Sequence, residues 1–310
     1  MLLLTGTARS SYRSSDMSAS DDTPTARPTL GGQAVIEGVM IRGSEGTAVC
    51  VRKPDGELVC RTERNARTGR FRDVPILRGI AVLGETMTQG MRAMIWSAQV
   101  AAGEEPEEPS KSQVRATTAA SLGFVSAFFF LGPAVATRRL ERATKHPRLA
   151  SALEGLVRVG MLIGYLRAVG RLPQAQRLFG YHGAEHRAIQ AYEADEPLEV
   201  ASLYRFPNAH VRCGTSFLLT TTLISSAIYA VLGPQPMGRR LLSRLALTPV
   251  IAGLSYEAIR LASASPNGPW RWLFRPNLAL QALTTRDPDE AQMEVALAAV
   301  RAALGAGEDA

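Results

Sequence analysis

The chain has 310 residues, with 35 Lys plus Arg against 28 Asp plus Glu and a formal charge of +7. A hydrophobic share of 46% excludes a disordered chain, and three cysteines exclude a disulfide-dense secreted scaffold. The basic residues are scattered and many flank apolar runs, so nucleic acid is not an expected partner.

Residues 1–30 are rich in Ser, Thr, Asp, Arg and Pro with no hydrophobic period, which predicts a disordered N-terminus. Met17 competes with Met1 as the start. Leu2-Leu3-Leu4 is too short for a signal-peptide core, so the N-terminal domain is expected in the cytoplasm. From Gly31 the pattern turns β-prone. Thr47 to Lys53, Pro54-Asp55-Gly56 and Glu57 to Thr62 read as a hairpin, because Pro, Asp and Gly supply the fixed φ, side-chain acceptor and positive φ of a tight turn. Ile80, Leu83, Met87, Met91, Met94 and Ala98 then recur at helical spacing and predict an amphipathic helix whose stripe covers the β unit, the commoner use, or lies on the membrane surface. The β-rich domain with this helix spans 31–102, and an acidic linker follows at 103–113.

Beyond the linker the expected fold is an α-helical membrane bundle of about four spans, 114–262. Ala116 to Thr137 and Cys213 to Gly238 carry no charge and are long enough to cross a bilayer. The other two candidates, about 150–170 and 241–262, carry Glu154, Arg158, Arg167, Arg244, Glu257 and Arg260. Glu154 and Arg158, at i and i+4, can pair on one helix face. Basic residues Arg138, Arg139, Arg142, Lys145, Arg148, Arg239 and Arg240 in the first and third loops favour a cytoplasmic position for those loops. That choice opposes the missing signal peptide. Either way, an even number of spans places the N-terminal domain, the second loop and the tail on one side. The tail, 263–310, predicts a short helix capped by Asp287, with Pro288 at its first position and an end near Gly305. A multi-pass protein of the cell (inner) membrane is the expected outcome, with membrane lipids and other membrane proteins as partners.

The chemistry concentrates in the second loop, 171–213. Three of the four histidines sit there with one cysteine. His182 and His186 lie one helical turn apart and can hold one ion between them. The string His182-Gly183-Ala184-Glu185-His186 also fits H-x-x-E-H, in which the glutamate works beside the metal as general base. His210 and Cys213, at H-x-x-C spacing, can complete the shell, with His210 as third ligand and Cys213 as a fourth. Mixed His and Cys donors make Zn²⁺ the default divalent metal. Glu193, seven residues after His186, lies about 10 Å along the axis and is too far to share that ion.

GGQAVIEGVMIRG (31–43), YHGAEHRAIQAYE (181–193) and HVRCGTSF (210–217) together resemble the YqhQ-like family of bacterial multi-pass membrane proteins, a group of unknown function described as predicted metal-dependent enzymes. The resemblance runs from about 31 to about 300. Val211 departs from the family's usual His-Pro-Arg-Cys. The resemblance implies that the Glu37 segment and the histidine segment form one unit, with Glu37 and Arg42 positioning substrate near Glu185. Three readings stand: a metal-dependent, hydrolytic membrane enzyme; a membrane scaffold with a structural metal site; and a metal or solute transporter, for which Thr220 to Thr222 with Ser225-Ser226 are the polar cluster inside a span.

Overall fold

The computed structural model describes residues 29–44, 46–65, 74–105, 109–133, 135–137, 147–233, 235–264 and 270–305. The expectations for residues 1–28 and for Arg138, Arg139, Arg142 and Lys145 lie outside these residues.

Four strands, β1 (Gly31–Val35), β2 (Gly38–Arg42), β3 (Gly46–Arg52) and β4 (Leu58–Arg64), form an antiparallel sheet in sequential order. The β3–β4 turn is the expected one. Gly56 has φ 92°, and the Glu57 N–H donates to Asp55 Oδ1 at 2.9 Å. Register sets Cys50 directly opposite Cys60, and the two form a disulfide across the hairpin.

Both faces of the sheet are covered, because the apolar residues of β2 and β3 alternate between two cores. Val39, Ile41, Ala48 and Cys50 meet one group of helices. Met40, Val49 and Val51 meet α1 (Leu77–Ala101) through Ala93, Trp96 and Val100. The buried face of α1 is therefore Gly90, Ala93, Trp96, Ser97 and Val100, not the methionine stripe. Met87 on that stripe is exposed. The buried face is rotated from the stripe by about one residue step, roughly 100°. The reason is close approach: a Cβ on Gly90 would stand 2.2 Å from Gln33 Oε1 of β1.

The remaining described helices are α2 (Lys111–Ser126), which passes into a π-helical turn at Ala127–Leu131, then α3 (Pro147–Val169), α4 (Pro173–Glu193), α5 (Val200–Leu203), α6 (Gly214–Leu232), α7 (Met237–Ala264), α8 (Trp270–Gln281) and α9 (Glu290–Gly305). Segment 171–213, read from sequence as a loop, contains the 21-residue helix α4. The tail helix starts later than expected. Asp289 is its cap, accepting the Gln292 N–H at 2.8 Å, while Gln292 Oε1 accepts the Asp289 N–H. Asp287 instead receives Arg187 at 2.7 Å. Nor is α9 peripheral: Met293, Val295, Ala296, Ala299 and Val300 are buried against α4 and the sheet.

The protein is thus mostly helical with a small N-terminal antiparallel sheet. Two described helices, 214–232 and 237–262, are long and apolar enough to cross a membrane. The expected first span is broken differently, with 16 residues of α-helix ahead of the π turn.

Candidate metal centre

Helix α4 crosses the sheet at β1 and carries Tyr181, Glu185 and His186 buried, with His182 half-buried at its edge. Small residues let it approach. A Cβ on Gly183 would stand 2.2 Å from the Arg286 carbonyl oxygen. Cys213 arrives as the N-cap of α6, its Sγ accepting the Thr215 N–H at 3.4 Å.

These elements bring His182, His186 and Cys213 together, with one donor atom from each within 4.8 Å of the others. His182 Nε2 is 3.2 Å from Cys213 Sγ. The other nitrogen of each ring is occupied. His182 Nδ1 lies 2.7 Å from the Thr284 carbonyl oxygen and His186 Nδ1 lies 2.5 Å from the Asn208 carbonyl oxygen. A carbonyl only accepts, so each Nδ1 carries the proton and each Nε2 presents its lone pair.

His210 holds a different place from the one expected. Its Nε2 faces Glu193 Oε2 at 3.3 Å, and Arg212 pairs with the other oxygen of Glu193. Its backbone is clamped by Gln281, which accepts the His210 N–H at 2.9 Å and donates to the His210 carbonyl at 2.8 Å. The nearest ring is His186, at 5.6 Å between centroids. Cys213, read as the optional fourth donor, therefore stands with the first two imidazoles. His210 stands one step back, in the cavity wall. Glu193 reaches the site by orienting His210.

Glu185 Oε2 lies 3.7 Å from His186 Nε2 and 3.9 Å from His182 Nε2. Burial raises its pKa above the ordinary carboxylate range, against the pull of His182 and His210. Burial also lowers the pKa of His186 and of His210, which favours the neutral imidazole a cation needs. Strand β1 lies directly over the carboxylate. A Cβ on Gly32 would stand 2.3 Å from Glu185 Oε1, so the paired glycines serve close packing on the site. Leu30, Gly31, Gly32, the three histidines, Glu185, Arg212 and Cys213 line a cavity of about 30 Å³, room for one or two waters.

Glu37 and Arg42 do not enter this cavity. Glu37, at φ 52° in the β1–β2 turn, pairs with Arg177 and accepts the Tyr181 hydroxyl at 3.2 Å. Arg42 pairs with Glu85 at 2.8 Å and lines a separate cleft. Missed by the sequence reading are Gln281, Thr284, Asn208 and the Arg187–Asp287 pair that holds the Asn208 side chain. Asn208, Gln281 and Thr284 stand 22, 71 and 102 residues along the chain from the histidines they hold, and no spacing rule connects them.

Residues 74–306, which include the whole His/Cys cluster, match the family described as protein of unknown function DUF1385. The uncharacterized protein YqhQ of Bacillus subtilis (strain 168) is 31% identical over 287 residues, covering 87% of this chain and 90% of that protein. No solved structure matches the chain. With three quarters of its length matched by one family and a relative aligned almost end to end, the chain belongs to the DUF1385, YqhQ-like family.

Proposed function

We propose that this protein is a membrane-embedded, zinc-dependent hydrolase centred on His182, His186 and Cys213. The observation that carries the reading is the anchoring of both imidazoles through Nδ1–H to backbone carbonyls, which aims both Nε2 lone pairs beside a thiol and a buried carboxylate. A tetrahedral zinc separates nitrogen and sulfur ligands by about 3.3–3.6 Å, close to the 3.2 Å between His182 Nε2 and Cys213 Sγ. Three protein donors leave a fourth position open, as in reactive rather than closed zinc sites. Bound there, zinc would supply Lewis acidity to a water or to a substrate oxygen. Glu185 takes the proton of the attacking water as its oxygen bonds to the acyl or phosphoryl centre, and returns that proton to the leaving group. His210, held by Glu193, closes the cavity wall.

The membrane part of the reading rests on chain paths and exposed surface. Only 17% of the apolar window of α7 is buried, the reverse of a soluble core helix. Leu223, Val231, Leu242, Leu245 and Leu261 lie exposed on α6 and α7. Helix α6 leaves the cluster at Cys213, and α7 returns to pack on α1. Because β1–β4, α4 and α9 form one head, the chain between α1 and α4 also leaves and returns. Two crossings there and two in α6–α7 make four spans in the inner membrane, with lipids around them.

A structural reading is favoured by one observation: Cys213 caps α6, so a metal knuckle there would pin a span to the head. Metal analysis of purified wild type, His182→Ala, His186→Ala, Cys213→Ser and Glu185→Gln tests both. Wild type and Glu185→Gln are expected to hold one zinc per chain and the three ligand variants to lose it. Zinc retained in His186→Ala defeats both readings. Complementation of a deletion strain by zinc-loaded Glu185→Gln selects the structural one.

A further inference from the structure

Beside the metal cavity lies a cleft of about 570 Å³ between the end of β2, α1 and the C-terminal part of α7. Its size suits a small-molecule ligand. Three guanidiniums line it: Arg42, Arg78 and Arg260. Each is held by a carboxylate, Arg42 by Glu85 at 2.8 Å, Arg78 by Glu257 through two contacts, and Arg260 by Glu257 at 3.7 Å. The carboxylates fix Arg42 and Arg78 in place beside the more exposed Arg260, so three guanidinium charges lie where an anion in the cleft would meet them. Thr86 adds a hydroxyl to the lining, and Tyr256 adds a ring.

Two placements say more about the ligand. Gly31 lines both this cleft and the cavity of the His/Cys cluster, and a Cβ there would meet nothing within 4 Å. Tyr256 and Arg260 lie about 28–35 Å along α7 from Met237. That is one bilayer thickness, so the cleft opens at the membrane surface on the head side.

The geometry points to a phosphate-bearing amphiphile as the substrate class, its phosphate held by Arg42, Arg78 and Arg260 and its adjoining bond presented past Gly31 to Glu185. This rests on the hydrolase reading above. A lipid headgroup and a soluble phosphoester share this chemistry, and the test separates them. Binding of short-chain phosphatidylglycerol, short-chain diacylglycerol (which lacks the phosphate) and glycerol phosphate is measured on the full chain in detergent, for wild type and for Arg42→Gln/Arg260→Gln, with zinc content determined on the same samples. The expected result is a preference for the anionic lipid, weakened at least about tenfold in the double variant while zinc content stays at the wild-type level. Equal affinity for glycerol phosphate and the lipid supports the phosphate site and assigns it to a soluble ester. Equal affinity for the two lipids, or a double variant that holds zinc and binds as wild type does, overturns the proposal. Phosphate-selective binding by a wild-type protein that takes up no zinc defeats the metal reading and leaves the cleft assignment standing.

Discussion

At the scale of single residues, the site is a balance of buried groups whose charged forms are penalised by burial. Burial pushes His186 and His210 down and Glu185 up. For the histidines, the unfolded chain takes up protons near pH 6.5 that the folded chain refuses, so stability falls as pH drops through that value. Glu185 acts in the opposite sense, since the folded chain takes up its proton first. In chelator-treated protein, Glu185→Gln should therefore lose thermal stability more steeply than wild type between pH 7.5 and 5.5. Parallel melting curves for the two proteins would show that these burial effects do not act. The glycine pair makes a second comparison. Gly32→Ala forces the Glu185 carboxylate to move and should cost about 1–3 kcal/mol in denaturant unfolding. Gly31→Ala meets open space and should stay within about 0.5 kcal/mol of wild type.

At the scale of elements, the head depends on a helix from the far end of the chain. Helix α9 fills the face of the sheet that α4 leaves uncovered, and Met293 at its start is fully buried. Met293→Ala should destabilise the head by about 2–5 kcal/mol, read as a lowered melting temperature. Much of this level was legible in the sequence: the hairpin turn, the α1 and α9 helices, and the one-turn spacing of His182 and His186 all follow from local periodicity and turn chemistry. The buried face of α1 was not legible. Hydrophobicity selected the methionines, whereas contact with the sheet buried Ala93, Trp96 and Val100 around Gly90, where two backbones approach.

For the whole molecule, the charged residues of the weaker predicted spans find each other. Glu154 of α3 accepts Arg158 at 2.8 Å, and also pairs with Arg240 and Arg244 of α7. Arg158 also donates to Ser225 and Ser226 of α6, and the Tyr229 ring stacks under Arg158 and Arg244. The Glu154–Arg158 pair was readable from its i,i+4 spacing. Arg240, read as a topology signal in the third loop, is instead part of a buried ion cluster joining the helices. Removing the carboxylate leaves guanidiniums in a low-dielectric interior. Glu154→Gln should destabilise the bundle by about 3–5 kcal/mol in detergent unfolding and lower the yield of folded protein.

The amino-acid sequence by itself determined the local features: the hairpin turn, the α1 and α9 helices, the apolar lengths, and two imidazoles on one helical turn. Those depend on residues within a few positions of one another, where the backbone geometry is set by local sterics and hydrogen bonds. Only the tertiary structure decided that Cys213 rather than His210 joins the imidazole pair, that Gly32 lies against Glu185, that Arg42 belongs to a neighbouring cleft, and that three arginines share Glu154. Each of these pairings spans 27 to 153 residues of chain, apart from the local Glu154–Arg158 contact. It exists because burying both faces of the sheet and the inner faces of the helices leaves one packing in which these polar groups meet.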